Sequence, residues 1–165
     1  IGEVLLTESI KKLIKKIKTN IGLPNSKLHK YNEIYIGRGD KNSFRNRRKM
    51  LNEKIAIKTI VKKFSKLQVV KPGFLSIIST MKMMYNCKKI FSPLGTQLVL
   101  NSLFSQNLKM IHEIIPSDYY GFTTAQLVAK FLKVKYTKSY SKSKNIGWPL
   151  YNDQIINIAD LKKKL

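Results

Sequence analysis

The sequence is poor in cysteine and histidine, with one cysteine and two histidines among 165 residues. A single cysteine excludes a disulfide bond within the chain, and Cys87, His29 and His112 are too few for a Cys/His zinc site. We expect Cys87 to be a small buried apolar side chain. Long apolar segments are also missing, since none approaches the ~18 residues of a membrane-spanning helix. These absences exclude a disulfide-rich secreted scaffold and predict no membrane partner.

Acidic residues are few and scattered along the chain. The nine Asp and Glu residues form no local pair of carboxylates for acid–base or metal chemistry. There is no Walker loop, Rossmann fingerprint or Gly-x-Ser-x-Gly turn. His112 lies in an apolar run, where a structural role is expected. We therefore predict that the protein is not an enzyme and uses no metal, no cofactor and no small-molecule substrate.

Basic residues dominate, with 32 Lys and Arg giving a formal net charge of +23. Such a charge repels itself unless a polyanion lies close by, so nucleic acid is the expected partner. The lysines run from Lys11 to Lys164, whereas a membrane-surface protein would concentrate them in one amphipathic helix. Lysine greatly outnumbers arginine, and Ile, Asn, Tyr and Phe are abundant, which is the composition of an AT-rich organelle or a low-GC bacterium.

Apolar spacing and capping residues predict three main helices. The first is predicted by a stripe of apolar residues near the N-terminus, and the second runs from Leu51 to Phe64. The third begins at Thr123, where Gln126 completes a capping box. The final segment, DQIINIADLKKKL, predicts a short helix with a basic tip.

The strand signals complete the predicted fold. The segment LKMIHEII predicts a strand, and LQVVKPGFLSIIST predicts a hairpin at 67–80 that turns at Pro72 and Gly73. The expected class is α+β, a small mixed domain with about three to four helices and a short sheet containing that hairpin, plus basic extensions. We expect an N-terminal helical extension at 1–36, an RNA-binding core at 37–136 and a basic C-terminal extension at 137–165.

All four arginines of the chain lie within eleven positions, in the segment GRGDKNSFRNRRK. The flanking glycines, Gly37 and Gly39, allow the backbone to approach a ligand, and arginine supplies planar forks that grip phosphate. The tripeptide Arg38-Gly39-Asp40 also matches an integrin motif, which we discard because the chain is not a secreted disulfide scaffold. The segment is interpreted as an RNA-backbone contact.

A second basic segment, YTKSYSKSKNIGWP, alternates lysines with aromatic residues. Lysines bind phosphates while aromatic rings stack on unpaired bases, so this segment also predicts RNA contact, with a solvated linker as the alternative. The predicted RNA-binding residues of the two segments are Arg38, Lys41, Arg45, Arg47, Arg48, Lys49, Lys138, Tyr140, Lys142, Lys144 and Trp148.

The arginine segment resembles part of one enzyme family. Tyr35, Ile36 and Gly37, followed by Arg45 or Arg48 and then Glu53, are similar to the second half of the GIY-YIG endonuclease pattern. In that family an arginine contacts phosphate and a glutamate binds the metal. The first half of the pattern, Gly-Ile-Tyr, is missing upstream.

The whole chain, small, lysine-rich and AT-biased, resembles an organelle-encoded ribosomal protein. The stretch KMIHEIIPSDYYGFTTAQLVAKFLKVKYTKSYS is similar to the end of the KH region of ribosomal protein three of the small subunit, and NEKIAIKTIVKKFSKLQVV to the preceding helix. The RNA-clamping loop of KH domains would fall at IFSPLG, which has one glycine, so no clamping residue is carried over. KPGFLSIIST resembles protein eight of the small subunit, and FSPLGTQLVL protein six of the large subunit.

These resemblances imply a structural constituent of a mitochondrial ribosome, located in the matrix and acting in translation, with the small subunit favoured. The implied partners are ribosomal RNA and neighbouring ribosomal proteins. Two alternatives stay open: a remnant of a GIY-YIG endonuclease, and an RNA-binding assembly or splicing factor outside the ribosome.

Overall fold

Six strands form one sheet in the order β2-β1-β3-β4-β5-β6 in the part of the chain that the computed structural model describes, residues 8–23, 31–38, 49–71, 76–144 and 153–165. Strands β1 to β5 run parallel to their neighbours, and β6 is antiparallel to β5. The elements in chain order are α1 Glu8–Asn20, β1 Glu33–Ile36, α2 Glu53–Lys63, β2 Gln68–Val70, α3 Ile77–Met84, β3 Lys89–Pro93, α4 Thr96–Phe104, β4 Met110–Pro116, α5 Thr124–Leu132, β5 Lys135–Ser143, β6 Gln154–Ile156 and α6 Ile158–Lys164.

Helices cover both faces of the sheet. Alternate strand residues point to opposite faces, so Ile34 and Ile90 pack with helices α3, α4 and α5, while Tyr35 and Phe91 pack with α2 and α6. Strand β4 is buried along nearly its whole length because it is covered from both sides. Burying both faces explains why the inner strands are mostly apolar, whereas β5, nearer the edge of the sheet, carries exposed lysines.

The predicted α+β class, a small domain that mixes helices with a short sheet, is confirmed. Helices α1, α2 and α5 and strand β4 lie in the segments predicted for them. The capping box is also confirmed, since the Thr123 hydroxyl accepts a hydrogen bond from the Gln126 N–H at 3.2 Å. The described residues contain six helices rather than about three to four, because the uncharged segment after Phe91 carries α4 and the segment after β2 carries α3.

The predicted hairpin at 67–80 is wrong. Strand β2 pairs in parallel with β1, and the second half of the predicted hairpin is helix α3. The apolar pair Ile77 and Ile78 resembles a strand locally, but the Ser76 side chain caps the N–H of Ser79 and starts a helix there. The turn residues Pro72 and Gly73 lie outside the described residues.

The structure does not test the predicted limits of the three segments, 1–36, 37–136 and 137–165, so these limits stay a prediction. Strand β1 ends at Ile36, and β5 and β6 belong to the same sheet as β1. No helix within the described ranges has the length and apolar character needed to cross a membrane.

Candidate functional site

The strand order reverses between β1 and β3, and such a reversal typically opens a crevice at the carboxyl ends of the two strands. Neighbouring strands β1 and β3 are parallel, but the chain leaves β1 toward β2 through α2, and leaves β3 in the opposite direction toward β4 through α4. Helices α2 and α4 pack on opposite faces. In open parallel sheets, ligands bind beyond the carboxyl ends of strands at such a reversal. The residues that follow β1 and β3 therefore form a candidate binding site.

Arg38 and Gly95 meet at this crevice. Arg38 follows β1 by two residues, and its Nη2 donates a hydrogen bond to the carbonyl oxygen of Leu94, which follows β3. Gly95 is so close that a Cβ added there would lie 3.7 Å from Arg38 Nη2. Ser92 joins the same strand ends, because its hydroxyl donates to the carbonyl of Ile36 at 3.0 Å. The guanidinium is half-buried and positioned between the two strands.

Glu53, in the first turn of α2, fixes the backbone that carries Arg38. Its Oε1 accepts hydrogen bonds from the Arg38 N–H and from the Tyr35 hydroxyl, each at 3.1 Å. Tyr35 is fully buried, and desolvation together with the nearby Glu53 charge raises its pKa well above the usual value. A Cβ on Gly37 would sit only 3.3 Å from Glu53 Oε1. Glycine is therefore the residue that lets the carboxylate approach this closely.

The N-terminus of α4 lies at the same place. Its N-cap residue is Gly95, which offers no side-chain cap to the first N–H groups of a nine-residue helix. Such N–H groups and the positive end of the helix dipole favour an anion. Together with the Arg38 guanidinium, which carries five N–H donors, they suit a phosphate group.

The described residues contain no cluster of three or more His, Cys, Asp or Glu side chains that could hold a metal ion. Glu113 on β4 is fully buried, and its Oε2 accepts from the hydroxyls of Thr123 at 2.5 Å and Tyr136 at 2.7 Å. Burial raises the pKa of Glu113. No atom of Glu113 reaches solvent, so it is not available to a substrate at the crevice.

The prediction that Cys87 is buried is confirmed, and His112 is buried as well. His112 is fully buried, and its ring nitrogens bond to the Thr137 and Ser139 hydroxyls at 2.8 and 3.1 Å. Burial lowers the pKa of His112 to about 4, as expected of a structural residue. Cys87 is buried among apolar residues, and burial raises the pKa of its thiol to about 12.

The structure places six of the predicted RNA-binding residues. Only Arg38 lies in the crevice. Lys49 and Lys144 meet on either side of Asp153, since the Lys49 N–H donates to Asp153 Oδ1 and the Lys144 N–H donates to the Asp153 carbonyl. The two predicted segments therefore converge at that point. The remaining three lie on β5: Lys138, Tyr140 and Lys142.

The other five predicted residues, Lys41, Arg45, Arg47, Arg48 and Trp148, lie outside the described residues. The structure thus does not test whether the predicted residues contact a ligand, and their binding roles stay a prediction. Sequence analysis missed Leu94 and Gly95 and assigned Glu53 only to a nuclease pattern. The available signal was the repeated order of a short apolar run followed by a helical segment, which is typical of parallel sheets.

A comparison with protein-family models matches residues 3–111 to the glycosyltransferase 61 family. The matched residues include Arg38, Glu53 and Gly95, so they cover the crevice between β1 and β3. A comparison with curated proteins finds no match.

The family match corrects the functional predictions made from the sequence. The resemblance to a mitochondrial ribosomal protein, including protein three of the small subunit, is wrong, because the matching family is one of glycosyltransferases. For the same reason, the prediction that the protein is not an enzyme is wrong. The predictions that it has no small-molecule substrate and that its partners are rRNA and ribosomal proteins are also wrong. The endonuclease and the assembly or splicing factor are not supported either. The mitochondrial location is untested and stays a prediction.

Proposed function

We propose, from the premise that the chain belongs to the glycosyltransferase 61 family, that it binds a phosphate-activated sugar donor in the crevice between β1 and β3 and takes part in transferring that sugar to an acceptor. The observation that carries this proposal is the placement of Arg38. Its backbone is held by Glu53, and its guanidinium bridges to Leu94 beside the N-terminus of α4.

Sugar transfer needs this arrangement because negative charge develops on the leaving phosphate. The acceptor hydroxyl oxygen forms a bond to the anomeric carbon, and the bond from that carbon to the phosphate oxygen breaks. The electron pair of that bond stays on the phosphate, and the hydroxyl proton is released. Arg38 and the N–H groups of α4 are positioned to stabilise the new charge, which lowers the barrier when they are held in place in advance.

Preorganisation is visible in the supporting contacts. Glu53 is bonded to both Tyr35 and Arg38, and Ser92 ties β1 to β3, so the site lies on two strand ends rather than on a free loop. Positively charged groups fixed by such contacts lose little entropy on binding. The same contacts make Arg38 the residue whose replacement is most informative.

The test is titration calorimetry of the chain with inorganic pyrophosphate and with a set of nucleoside diphosphates. A guanidinium–phosphate bond contributes about 1.5–3 kcal/mol, so Arg38→Ala should weaken binding roughly 10–150-fold. Arg38→Lys keeps the charge but loses the planar fork. Its affinity should lie between those of wild type and Arg38→Ala. Lys62→Ala removes one exposed charge at the far end of α2 and should leave Kd unchanged.

Equal affinity of wild type and Arg38→Ala would refute the placement of the donor at this crevice. Failure of the wild type to bind any of these phosphate compounds would refute the proposed function. Binding of pyrophosphate as tightly as the nucleoside diphosphates would mean that the phosphates, and not a base, are recognised.

A further inference from the structure

A loop with two exposed aromatic rings leaves the sheet next to the crevice. It spans 117–123, between β4 and α5, and carries Tyr120, which is 91% exposed, and Phe122, which is 75% exposed. Strand β4 is the direct neighbour of β3, and the Leu94 N–H bonds to the Ile114 carbonyl at 2.8 Å. The loop therefore starts from the same edge of the sheet as the proposed donor site.

The loop is held at both ends although its rings are in solvent. The Ser117 N–H donates to the Ser141 carbonyl at 2.7 Å, and the Tyr119 N–H donates to the Pro116 carbonyl at 3.1 Å. At the other end Thr123 caps α5 and bonds to the buried Glu113. Gly121, at φ +109°, takes the positive φ of the turn between the rings. Two large aromatic side chains exposed on one loop that is held at both ends form a candidate interaction surface.

Lysines extend this surface along β5. Tyr136, Lys138, Tyr140 and Lys142 alternate along the strand, so they share one face. Helix α5 packs on the same side of the sheet, because Tyr136 and the α5 cap residue Thr123 bond to the same oxygen of Glu113. Lys138 and Lys142 are exposed, and Lys138 Nζ lies 5.6 Å from the centre of the Tyr140 ring. The surface thus combines aromatic rings with positive charge.

The acids nearest to these lysines are not exposed at the surface, although the charge of Lys138 acts on the pKa of Glu113. Glu113 is fully buried. Asp118 is directed to the sheet, where its Oδ2 accepts from the Ser143 hydroxyl at 3.3 Å, and its Oδ1 is buried without a hydrogen-bond partner among the described residues. Neither carboxylate is therefore presented beside Lys138 and Lys142.

We propose that Tyr120, Phe122, Lys138 and Lys142 form the acceptor surface, and that the acceptor is an anionic glycan carrying phosphate, sulfate or carboxylate groups. This rests on the proposed function, since it names the second substrate of the same site. Sugar rings present C–H faces that stack on aromatic rings, and anionic substituents pair with lysine. A net charge of +23 suits an acceptor that is itself a polyanion.

The test compares dextran with sulfated, carboxymethylated and phosphorylated dextran of equal length in affinity electrophoresis with the whole chain. The charged forms should bind and dextran should not, and the best of the three identifies the anion. Tyr120→Ala with Phe122→Ala changes no charge and should weaken binding about tenfold. Lys138→Ala with Lys142→Ala should also weaken it and flatten its salt dependence.

Two controls separate this surface from general charge and from the donor site. Lys62→Ala with Lys63→Ala removes two exposed lysines at the far end of α2, and Leu13→Ala removes an exposed apolar side chain of α1. Both should bind like wild type, and all variants should keep their unfolding midpoints. Pyrophosphate affinity should be unchanged in the aromatic variant, so a failure here is distinct from failure of the donor site.

Three outcomes would overturn the proposal. Equal losses in the β5 and α2 lysine pairs would mean that only total charge is sensed. Unchanged binding of the aromatic variant would mean that the rings do not contact the glycan. Tighter binding of a single-stranded RNA of matched charge, lost with the same rings, would assign the surface to nucleic acid.

Discussion

Removing the Glu53 carboxylate should destabilise the protein because it joins α2 to the end of β1. Glu53→Ala deletes the acceptor of two hydrogen bonds, from the Tyr35 hydroxyl and the Arg38 N–H. Tyr35 has no exposed surface, so its hydroxyl would be left buried without this acceptor. A stranded buried polar group costs about 1–3 kcal/mol, and the bond to the Arg38 N–H adds about 1 kcal/mol. We expect a loss of about 2–4 kcal/mol in the free energy of unfolding.

A double-mutant cycle isolates the contact between Tyr35 and Glu53. Tyr35→Phe removes the hydroxyl and should cost about 1 kcal/mol. In that background Glu53→Ala no longer strands a hydroxyl, so its cost should fall by about 1–2 kcal/mol. Urea unfolding followed by circular dichroism measures all four proteins. Glu53→Gln keeps an acceptor oxygen and should retain most of the stability.

Glu33 provides the matched control. It forms an ion pair with Lys89 at 3.6 Å, but both side chains are partly exposed. Such pairs contribute about 0–1 kcal/mol, so Glu33→Ala should have a small effect. If the costs of Tyr35→Phe and Glu53→Ala add within about 0.5 kcal/mol, the two side chains are not coupled and the account of the crevice is wrong.

Two further predictions concern crowding and pH. Gly37→Ala should destabilise the wild type by about 1 kcal/mol because the added Cβ would crowd Glu53. In the Glu53→Ala background the same change should be neutral or slightly stabilising, because alanine there only restricts the unfolded chain. Urea unfolding of each protein with and without Gly37→Ala measures both effects. The pKa of His112 is lowered by burial to about 4 from 6.5, so the unfolded state binds more protons between these values. The stability that neutral His112 provides is therefore complete above pH 6.5 and decreases by about 3 kcal/mol as the pH falls to 4. The stability difference between wild type and His112→Gln, measured by urea unfolding at each pH, should shrink over that window, and a constant difference would contradict the buried neutral state.

The elements that the sequence predicts correctly are those with local signals. Helix α5 has its cap at Thr123, and α2 has an apolar face with outward lysines. Strand β4 was recognisable because it is rich in the β-branched residue isoleucine. Each signal lies within one turn or one strand, so it does not depend on the rest of the chain.

The sheet itself depends on contacts that no local signal contains. Strand β1 is only four residues long and was not recognised. Strand β2 was predicted as half of a hairpin, but its partner is β1 and not the segment that follows it. Strand β5 alternates lysine with tyrosine, which resembles a solvated segment until β4 and β6 pair with its two edges. The adjacent β-branched residues Ile77 and Ile78 favour a strand. A helix forms instead because the Ser76 hydroxyl accepts a hydrogen bond from the Ser79 N–H and caps its first turn.

The site was predicted only in part for the same reason. Arg38 was predicted to contact phosphate, a role that stays a prediction, and its contacts to Glu53 and Leu94 lie 15 and 56 residues away in the chain. The absence of a local pair of acids led to the prediction that the protein is not an enzyme, which the family match contradicts. Net charge identifies an anionic environment and does not distinguish a polynucleotide from a phosphate-bearing sugar.

The position of the crevice follows from strand order alone. A parallel strand can connect to its neighbour on either side, and each connection places a helix on one face. Where the chain leaves two neighbouring strands in opposite directions, the two connecting helices pack on opposite faces, and ligands typically bind beyond the carboxyl ends of those strands. In this sheet the two strands are β1 and β3. A residue two positions beyond β1 therefore lies at this reversal, which explains why Arg38 reaches Leu94 after β3. Lys138 and Lys142 lie on β5, two strands beyond β3, and are therefore outside the crevice.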